Sequence, residues 1–400
     1  MRLSSCIRKR FMKKEHVKEL MIYIHIPFCV KKCLYCDFLS APADDAAKKA
    51  YMEALCREIH EKSRDYRDYE VSSIFFGGGT PTAVDPEWIR QIMQLLREDY
   101  HIAEDAEITM EMNPGTVSQK DMTVYAAAGI NRLSMGLQSA CNEELKSLGR
   151  IHTYEKFLET YTYVREAGFA NVNVDLMSGL PGQTPQKYRE SLEKVLGLIP
   201  PPEHISAYSL IIEEGTPFQE AYEKGRLKLP SEEHEREMYY LTKQILKQHG
   251  YDRYEISNYA KPGKECKHNT GYWYRRNYVG FGIGAASLVD NVRFTNGRDL
   301  EAYINNPCEM MEGKEILSTE DRMSETMFLG LRMVSGVSEK AWMEEYNRSL
   351  CDVYEEVIQK HMKDGLLEWI SVDGERFIRL TDKGLDVSNY VMADFLEPKI

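Results

Sequence analysis

Cys29, Cys33 and Cys36 stand as C-x3-C-x2-C in the stretch IHIPFCVKKCLYCDF, directly after the apolar run Ile22 to Ile26. Thiolates are the usual protein ligands of iron–sulfur clusters, and a four-iron, four-sulfur cluster held entirely by protein takes four of them. Three thiolates from one short loop would leave one iron open to a small chelating molecule. Two other readings of the same residues stand beside this one: a structural zinc site completed by a distant ligand, and buried small thiols that bind nothing. Zinc ligands come most often as two separated pairs, a spacing this loop does not have.

The elements that must position such a loop show in the alternation of the chain. From Ile22 to about Leu288, short β-rich runs alternate with longer stretches of helical periodicity. Strands are expected at Ile22 to Ile26, Ser73 to Phe76, Glu107 to Met112, Arg132 to Gly136, Asn171 to Met177, His204 to Leu210 and Tyr251 to Ile256. Helices are expected at Asp44 to Arg64, Pro86 to Asp99, Gln119 to Ala128, Tyr154 to Ala167, Pro185 to Leu198 and Glu232 to Gln248. The pattern predicts an α/β fold of right-handed βαβ units with a parallel sheet, closed as a partial or full TIM-type barrel. Chemistry in such folds gathers where strands end. The cysteine loop, Gly77-Gly78-Gly79-Thr80-Pro81, Glu111-Met112-Asn113-Pro114, Gly136-Leu137-Gln138-Ser139 and the run from Asp175 to Gly182 all fall at such ends. The glycines of 77–79 lack Cβ atoms and let backbone groups approach a ligand closely.

Four hundred residues exceed the ~250 to 300 at which a single core stops growing, so a large domain with a smaller one is expected. The boundaries read as a basic tail over 1–20, a barrel domain over 21–290 and a C-terminal domain over 300–400. The last of these carries helices at Thr319 to Met333 and Tyr354 to Asp364, a hairpin from Leu367 to Leu380 turning at Asp373-Gly374, and a helix from about Thr381 to Phe395. That is an α+β, winged-helix-like composition. With 51 basic against 63 acidic residues the net charge is -12, which excludes the broad basic face of a nucleic-acid binder. Nine cysteines, an odd number, suit a reducing cytoplasm better than a disulfide framework. Cys6, Cys56, Cys141, Cys308 and Cys351 read as inert. No window is apolar enough to span a membrane, while the basic tail leaves peripheral contact with a membrane surface open.

Residues 22–400 resemble the oxygen-independent coproporphyrinogen III oxidase family of the radical SAM superfamily, a family that holds both true oxidases and HemW-type haem chaperones. The motifs that carry the resemblance are YIHIPFCVKKCLYCDF, FFGGGTPT, EMNPGT, RLSMGLQS, LGRIHT, NVDLMSGLPGQT and HNTGYWYRRNYVGFGIGAAS. It implies that Cys29, Cys33 and Cys36 hold a 4Fe-4S cluster whose open iron binds the amino and carboxylate groups of S-adenosylmethionine (SAM). It implies Tyr23 and Phe38 beside SAM, Gly78, Gly79 and Thr80 at its methionine end, Glu111 on its ribose or amine, and the run from Gly280 to Ala286 at its adenine. Gln138, Arg150 and Asp175 match positions that bind a second SAM in the oxidases.

Two departures separate this chain from the true oxidases. Those carry a further cysteine two positions after the third cluster cysteine, where this chain has Phe38, and a longer N-terminal extension than the 28 residues that precede Cys29 here. Conversely, His268-Asn269-Thr270-Gly271-Tyr272-Trp273 reads H-N-x-x-Y-W, the motif associated with haem binding in the HemW group. Imidazole is a common axial ligand of haem iron, and Tyr272 and Trp273 offer flat faces to a macrocycle. Cys266 is a candidate second ligand. Without the motif, a lone histidine is more often a hydrogen-bonded polar residue.

The expected function is that of a HemW-like chaperone, which binds haem as cargo and passes it to a haem-requiring apoprotein of a respiratory chain, with no nucleic-acid partner. The competing expectation is an oxidase that uses SAM to convert coproporphyrinogen III to protoporphyrinogen IX. A zinc-stabilised interaction protein is the third reading.

Overall fold

The structure, a computed structural model, describes residues 18–398. Six strands pair in sequence order, every neighbouring pair parallel: Lys18–Ile26 (β1), Tyr69–Gly78 (β2), His101–Met112 (β3), Arg132–Gln138 (β4), Val172–Ser178 (β5) and His204–Ser209 (β6). Between them run Asp45–Lys62 (α1), Pro86–Asp99 (α2), Gln119–Ala127 (α3), Asn142–Ser147 (α4), Tyr154–Glu166 (α5) and Pro185–Leu196 (α6). The helix starts are written in the sequence. Asp44, Asp85, Ser118, Thr153 and Thr184 each accept a hydrogen bond from a backbone N–H of the first turn that follows. Pro86 and Pro185 take first helical positions, where the missing N–H costs nothing.

One set of strand side chains, among them Ile22, Ile24, Ile74, Phe76, Met110, Leu133 and Val174, packs with Leu55, Ile92, Tyr125, Phe157 and Leu192 of the helices to make the main core. The alternate positions face the inside of the curved sheet and carry the polar and aromatic residues of the site.

The barrel is partial. After Pro217–Glu223 (α7) and Glu232–Gln248 (α8), the expected parallel strand at Tyr251 to Ile256 does not form. Asp252–Arg253 (β7) pairs antiparallel to Asn258–Ala260 (β8), which itself runs antiparallel to β6, and Glu255 makes a lone antiparallel bridge to Met333. The cause is the buried Glu255, whose Oε1 accepts from Ser257 N at 2.7 Å and Asn258 Nδ2 at 2.6 Å and so folds the chain back.

A short helix, Lys267–Trp273 (α9), is followed by a strand the sequence did not reveal. Tyr278–Phe281 (β9) lies parallel to β1 on the side away from β2. Ala286–Val289 (β10), Val292–Asn296 (β11) and Met311–Ile316 (β12) then extend the sheet antiparallel, with Leu300–Asn305 (α10) between the last two. The domain start expected at residue 300 therefore falls inside the twelve-stranded sheet.

Glu58 of α1 fastens this late segment to the barrel. Its fully buried carboxylate accepts from Gly282 N at 2.9 Å, Asn296 Nδ2 at 2.7 Å, Tyr303 OH at 2.6 Å and Lys62 Nζ at 2.7 Å. Glu58→Ala would remove the acceptor that these four donors share, and is expected to cost about 3 to 5 kcal/mol of stability. A urea-unfolding midpoint checks it.

The remaining chain forms Thr319–Gly330 (α11), Val337–Ser338 (β13), Glu339–Tyr346 (α12), Leu350–Lys363 (α13), Leu367–Val372 (β14), Glu375–Leu380 (β15), Asp382–Asp386 (α14) and Ser388–Ala393 (α15). Trp342, Tyr354, Leu367, Ile378 and Phe395 make a second core, and the small sheet runs β13-β15-β14 in a winged-helix-like arrangement. The hairpin turns at Asp373-Gly374, both with positive φ, as a two-residue turn requires. The helix expected over Thr381 to Phe395 is two, broken at Val387. Of the basic tail expected over 1–20, residues 1–17 lie outside the described residues, and Lys18 to Leu20 open β1. Among the described residues no helix is long and apolar enough to cross a membrane.

Candidate functional site

The cysteine loop leaves β1 at its C-terminal end and is closed at its base by Ala41 N donating to Pro27 O at 3.0 Å and Cys29 N to Ala41 O at 3.2 Å. The triple glycine supports it from β2. Gly79 N donates to Ile26 O at 2.9 Å and Thr80 N to Phe28 O at 2.8 Å. A Cβ on Gly79 would sit 2.6 Å from Phe28 O, and Gly78 adopts φ 112° with the His25 ring 2.7 Å from where its Cβ would be. Only glycine lets the two backbones come this close. The far side of the loop is held by Leu34 N on Leu148 O and Phe218 N on Leu34 O, both at 3.0 Å.

All three cysteines are free and half-buried, and burial pushes the Cys36 thiol up. Among the described residues no three His, Cys, Asp or Glu side chains converge on a single metal ion. A donor set of three thiols on one partly open loop fits a four-iron cluster, whose irons sit at separate corners of a cube, with one corner left for a ligand.

Inside the mouth of the barrel, Tyr23, Phe75 and Glu111 surround Gly77, each within 3.1 Å of where its Cβ would be. Burial, then the neighbouring Asp175, raise the Glu111 carboxyl to about 8, and burial also raises Asp175, which accepts from Asn173 Nδ2 at 2.7 Å. A second group gathers round Gly136: Asn113, Gln138 and Arg150. Gln138, at φ 70°, accepts from Tyr208 OH at 2.9 Å. The structure thus brings Tyr23, Gly78, Gly79, Thr80, Glu111, Gln138, Arg150 and Asp175 to one rim with the cysteines. Phe38 is 61% exposed on the same loop. Ala286 is exposed at the start of β10, and the glycine-rich run from Gly280 to Ala286 begins inside β9.

The H-N-x-x-Y-W segment is α9, and it lies elsewhere. Ser73, four residues and about 13 Å before Gly77 on the same face of β2, donates to or accepts from His268 Nδ1 at 2.9 Å. His268 is 1% exposed and stacks on Phe75 with centroids 5.1 Å apart. Its Nε2 pairs with Tyr272 OH at 2.9 Å, so both ring nitrogens have protein partners. Burial, then the buried Arg132, hold its pKa down at about 3. Glu107 accepts from the backbone N–H groups of Lys267 and His268, and Cys266 Sγ lies 3.4 Å from the same carboxylate.

The other end of the helix meets the C-terminal domain. Arg332 sits 4.2 Å over the Trp273 ring, Arg275 pairs with Glu325 at 2.9 Å, and Tyr274 OH lies 3.2 Å from Ser335 Oγ.

Several residues of the site were not assigned a role from sequence. Asn113, within EMNPGT, links the rim groups; His25, Ser73 and Glu107 hold the loop and α9. A period-two reading of β1 to β3, which puts His25 and Tyr23, Ser73 and Phe75, and Glu107 and Glu111 on one inner face, would have found them.

Residues 23–195 match the Radical SAM superfamily and residues 317–387 the HemN C-terminal domain. The heme chaperone HemW of Bacillus subtilis (strain 168) is 37% identical over 383 residues, covering 94% of this chain and 98% of that protein. Heme chaperone HemW of Escherichia coli (strain K12) is 37% identical over 309 residues, 76% of this chain and 78% of that protein. Among solved structures, coproporphyrinogen III oxidase (HemN) from Escherichia coli, a radical SAM enzyme, superposes with a TM-score of 0.81 at 25% identity, covering 95% of this chain and 90% of that one. With its three cysteines on the first loop of a partial barrel and this likeness along nearly its whole length, the chain belongs to the HemW family of the radical SAM superfamily.

Proposed function

We propose that the protein is a haem chaperone: it holds a 4Fe-4S cluster and SAM at the mouth of its barrel, binds haem, and passes it to a haem-requiring apoprotein. The observation that carries this reading is end-to-end similarity to HemW proteins together with the H-N-x-x-Y-W helix, in a chain that has Phe38 where the oxidases have a further cysteine. The recipient belongs to a respiratory chain on this reading, and the chaperone works from the cytoplasm, with peripheral contact where the recipient is membrane-bound.

Cys29, Cys33 and Cys36 hold the cluster. When bound, the cluster and SAM supply one-electron chemistry at the rim. Gly78 and Gly79 let the backbone approach SAM's methionine end, and Glu111 accepts from its ribose or amine. Glu111 must give up its proton for both of its oxygens to accept. SAM affinity is therefore expected to rise as pH climbs toward 8, and to flatten in Glu111→Gln, by calorimetric titration. Stability of the empty protein runs the other way. A carboxyl that holds its proton more tightly folded than unfolded stabilises most below about 4.5, and this is lost as pH rises to about 8.

His268 is the leading candidate for the haem iron, with Asn269, Tyr272 and Trp273 shaping the site. A macrocycle cannot reach a ring buried under α9, so ligation requires α9 to lift, which the contacts of Trp273 and Arg275 with the C-terminal domain oppose. Release of those contacts is the step that opens the site. His268 stays neutral at any physiological pH, so no proton competes for its lone pair.

The test supplies anaerobically reconstituted protein with haem in one arm and with coproporphyrinogen III, SAM and a reductant in the other. Stable haem binding without protoporphyrinogen IX is the expected result. Formation of the divinyl product would make the protein an oxidase.

A further inference from the structure

A continuous hydrogen-bonded chain runs behind the cysteine loop from one thiol to another. Arg150 NH1 donates to Cys33 Sγ at 3.6 Å, and its NH2 donates to Asn113 Oδ1 at 2.7 Å. Asn113 Nδ2 donates in turn to Thr80 Oγ1 at 2.8 Å, and Thr80 Oγ1 lies 3.5 Å from Cys29 Sγ. The directions are forced. A guanidinium has no acceptor, so the oxygen of the Asn113 amide must face Arg150 and its NH2 must face Thr80. Because the Thr80 oxygen is then accepting, its proton is free for Cys29.

Three different βα loops contribute to this chain, and each member is fixed by more than its place in it. Arg150 also donates to Gly136 O. Gly149 before it takes φ 75°, with its missing Cβ 2.9 Å from Leu34 Cγ, so the Arg150 loop lies directly on the cysteine loop. Thr116 Oγ1 holds the Asn113 carbonyl at 2.6 Å. Thr80 is buried, with its backbone N–H on Phe28 O.

Donors directed at a cluster's ligand sulfurs favour the reduced, more negative cluster over the oxidised one and raise its reduction potential. We infer that Asn113, bonded to Arg150 and Thr80, is the positioning residue that sets the potential of the cluster by aiming one donor at Cys33 and another at Cys29. The inference rests on the reading of Cys29, Cys33 and Cys36 as cluster ligands. It gives Thr80 a second task besides lining the SAM site, and gives Arg150 one that needs no second SAM.

The experiment is an EPR-monitored redox titration of the reconstituted full-length protein, with iron content measured on the same samples. Asn113→Leu keeps the volume but neither accepts nor donates, and Thr80→Val removes only the hydroxyl. At the potential where half of the wild-type clusters are reduced, the ratio of reduced to oxidised cluster is expected to fall about tenfold in Asn113→Leu, a midpoint about 59 mV more negative for one electron. Thr80→Val is expected to move it the same way by less. Unchanged midpoints at wild-type iron content would overturn the inference. So would loss of iron in both variants, since the chain would then hold the loop's shape and not its potential. A wild-type protein that takes up no cluster would instead sink the ligand reading itself, a result the iron assay separates from the other two.

Discussion

Tyr272→Phe should tighten haem binding while His268→Ala loosens it, although the two residues touch. In the structure His268 Nε2 is paired with the Tyr272 hydroxyl and Nδ1 with Ser73. If Nε2 is the atom that meets iron, haem must first displace that hydroxyl. An ordinary hydrogen bond is worth about 1 kcal/mol net, so removing it should strengthen affinity about fivefold. The phenylalanine keeps the ring that packs on Tyr278, 4.7 Å away between centroids, and that the proposed site offers to the macrocycle. His268→Ala removes the proposed ligand and should weaken affinity by at least about tenfold, with iron from the cluster unchanged. Absorbance titration with haem at fixed protein measures both. Equal losses in the two variants would mean that Tyr272 holds the site's shape and that Nε2 is not the ligating atom. Unchanged retention in His268→Ala would remove His268 from the mechanism. Affinity should also be flat between pH 5 and 8, since the imidazole, held at about 3, carries no proton to lose over that range.

Serine at Cys29, Cys33 or Cys36 is expected to bring cluster iron and sulfide close to background, whereas serine at Cys56, Cys141, Cys308 or Cys351 should leave them unchanged. Three ligands already are one fewer than a protein-held cluster uses, so a two-ligand loop has nothing to replace the lost one. Cys266 is no reserve, since it is buried against Glu107 at the far end of the inner face. The fold should survive, because the loop is closed at its base by backbone bonds between Pro27, Cys29 and Ala41 that involve no metal. Iron and sulfide assays beside far-UV circular dichroism distinguish loss of the cluster from loss of the protein. Retention of cluster in Cys36→Ser would point to a ligand outside the loop.

The parts of this architecture legible in the sequence are those governed by local rules. Asp44, Asp85, Ser118, Thr153 and Thr184 announce helix starts, and the short β-rich runs between the helices read as strands. The loops of the rim were found because strand ends in such a fold point to one place, whereas the roles of Tyr23, Phe38, Glu111, Gln138, Arg150 and Asp175 came from the family resemblance. What stayed hidden depends on partners far away in sequence. The reversal at Glu255 comes from a buried carboxylate that looks like any surface glutamate in the sequence. Tyr278–Phe281 was not among the expected strands because Gly280 offers no side chain to the period-two pattern; a Cβ there would lie 2.4 Å from Ala286 O, so the glycine is what lets β9 and β10 turn against each other. His268 was recognised by its motif, yet that its two nitrogens are already taken depends on Ser73, 195 residues earlier. Asn113 sat inside a quoted motif with no role, because its role exists only between Arg150 and Thr80.

Glu58 bears on how the protein is made. Its donors Gly282, Asn296 and Tyr303 lie 224, 238 and 245 residues further along the chain, and β1 takes its second neighbour only at Tyr278–Phe281. On the ribosome, then, the first helix emerges with a carboxylate that has no lasting place in the core, and the first strand with an open edge, until about three-quarters of the protein has been synthesised. The six βα units can collapse in order, but the strand that carries the cysteine loop stays unfinished at one side throughout. Iron delivered before that point would meet the three thiols on a strand still open along one edge.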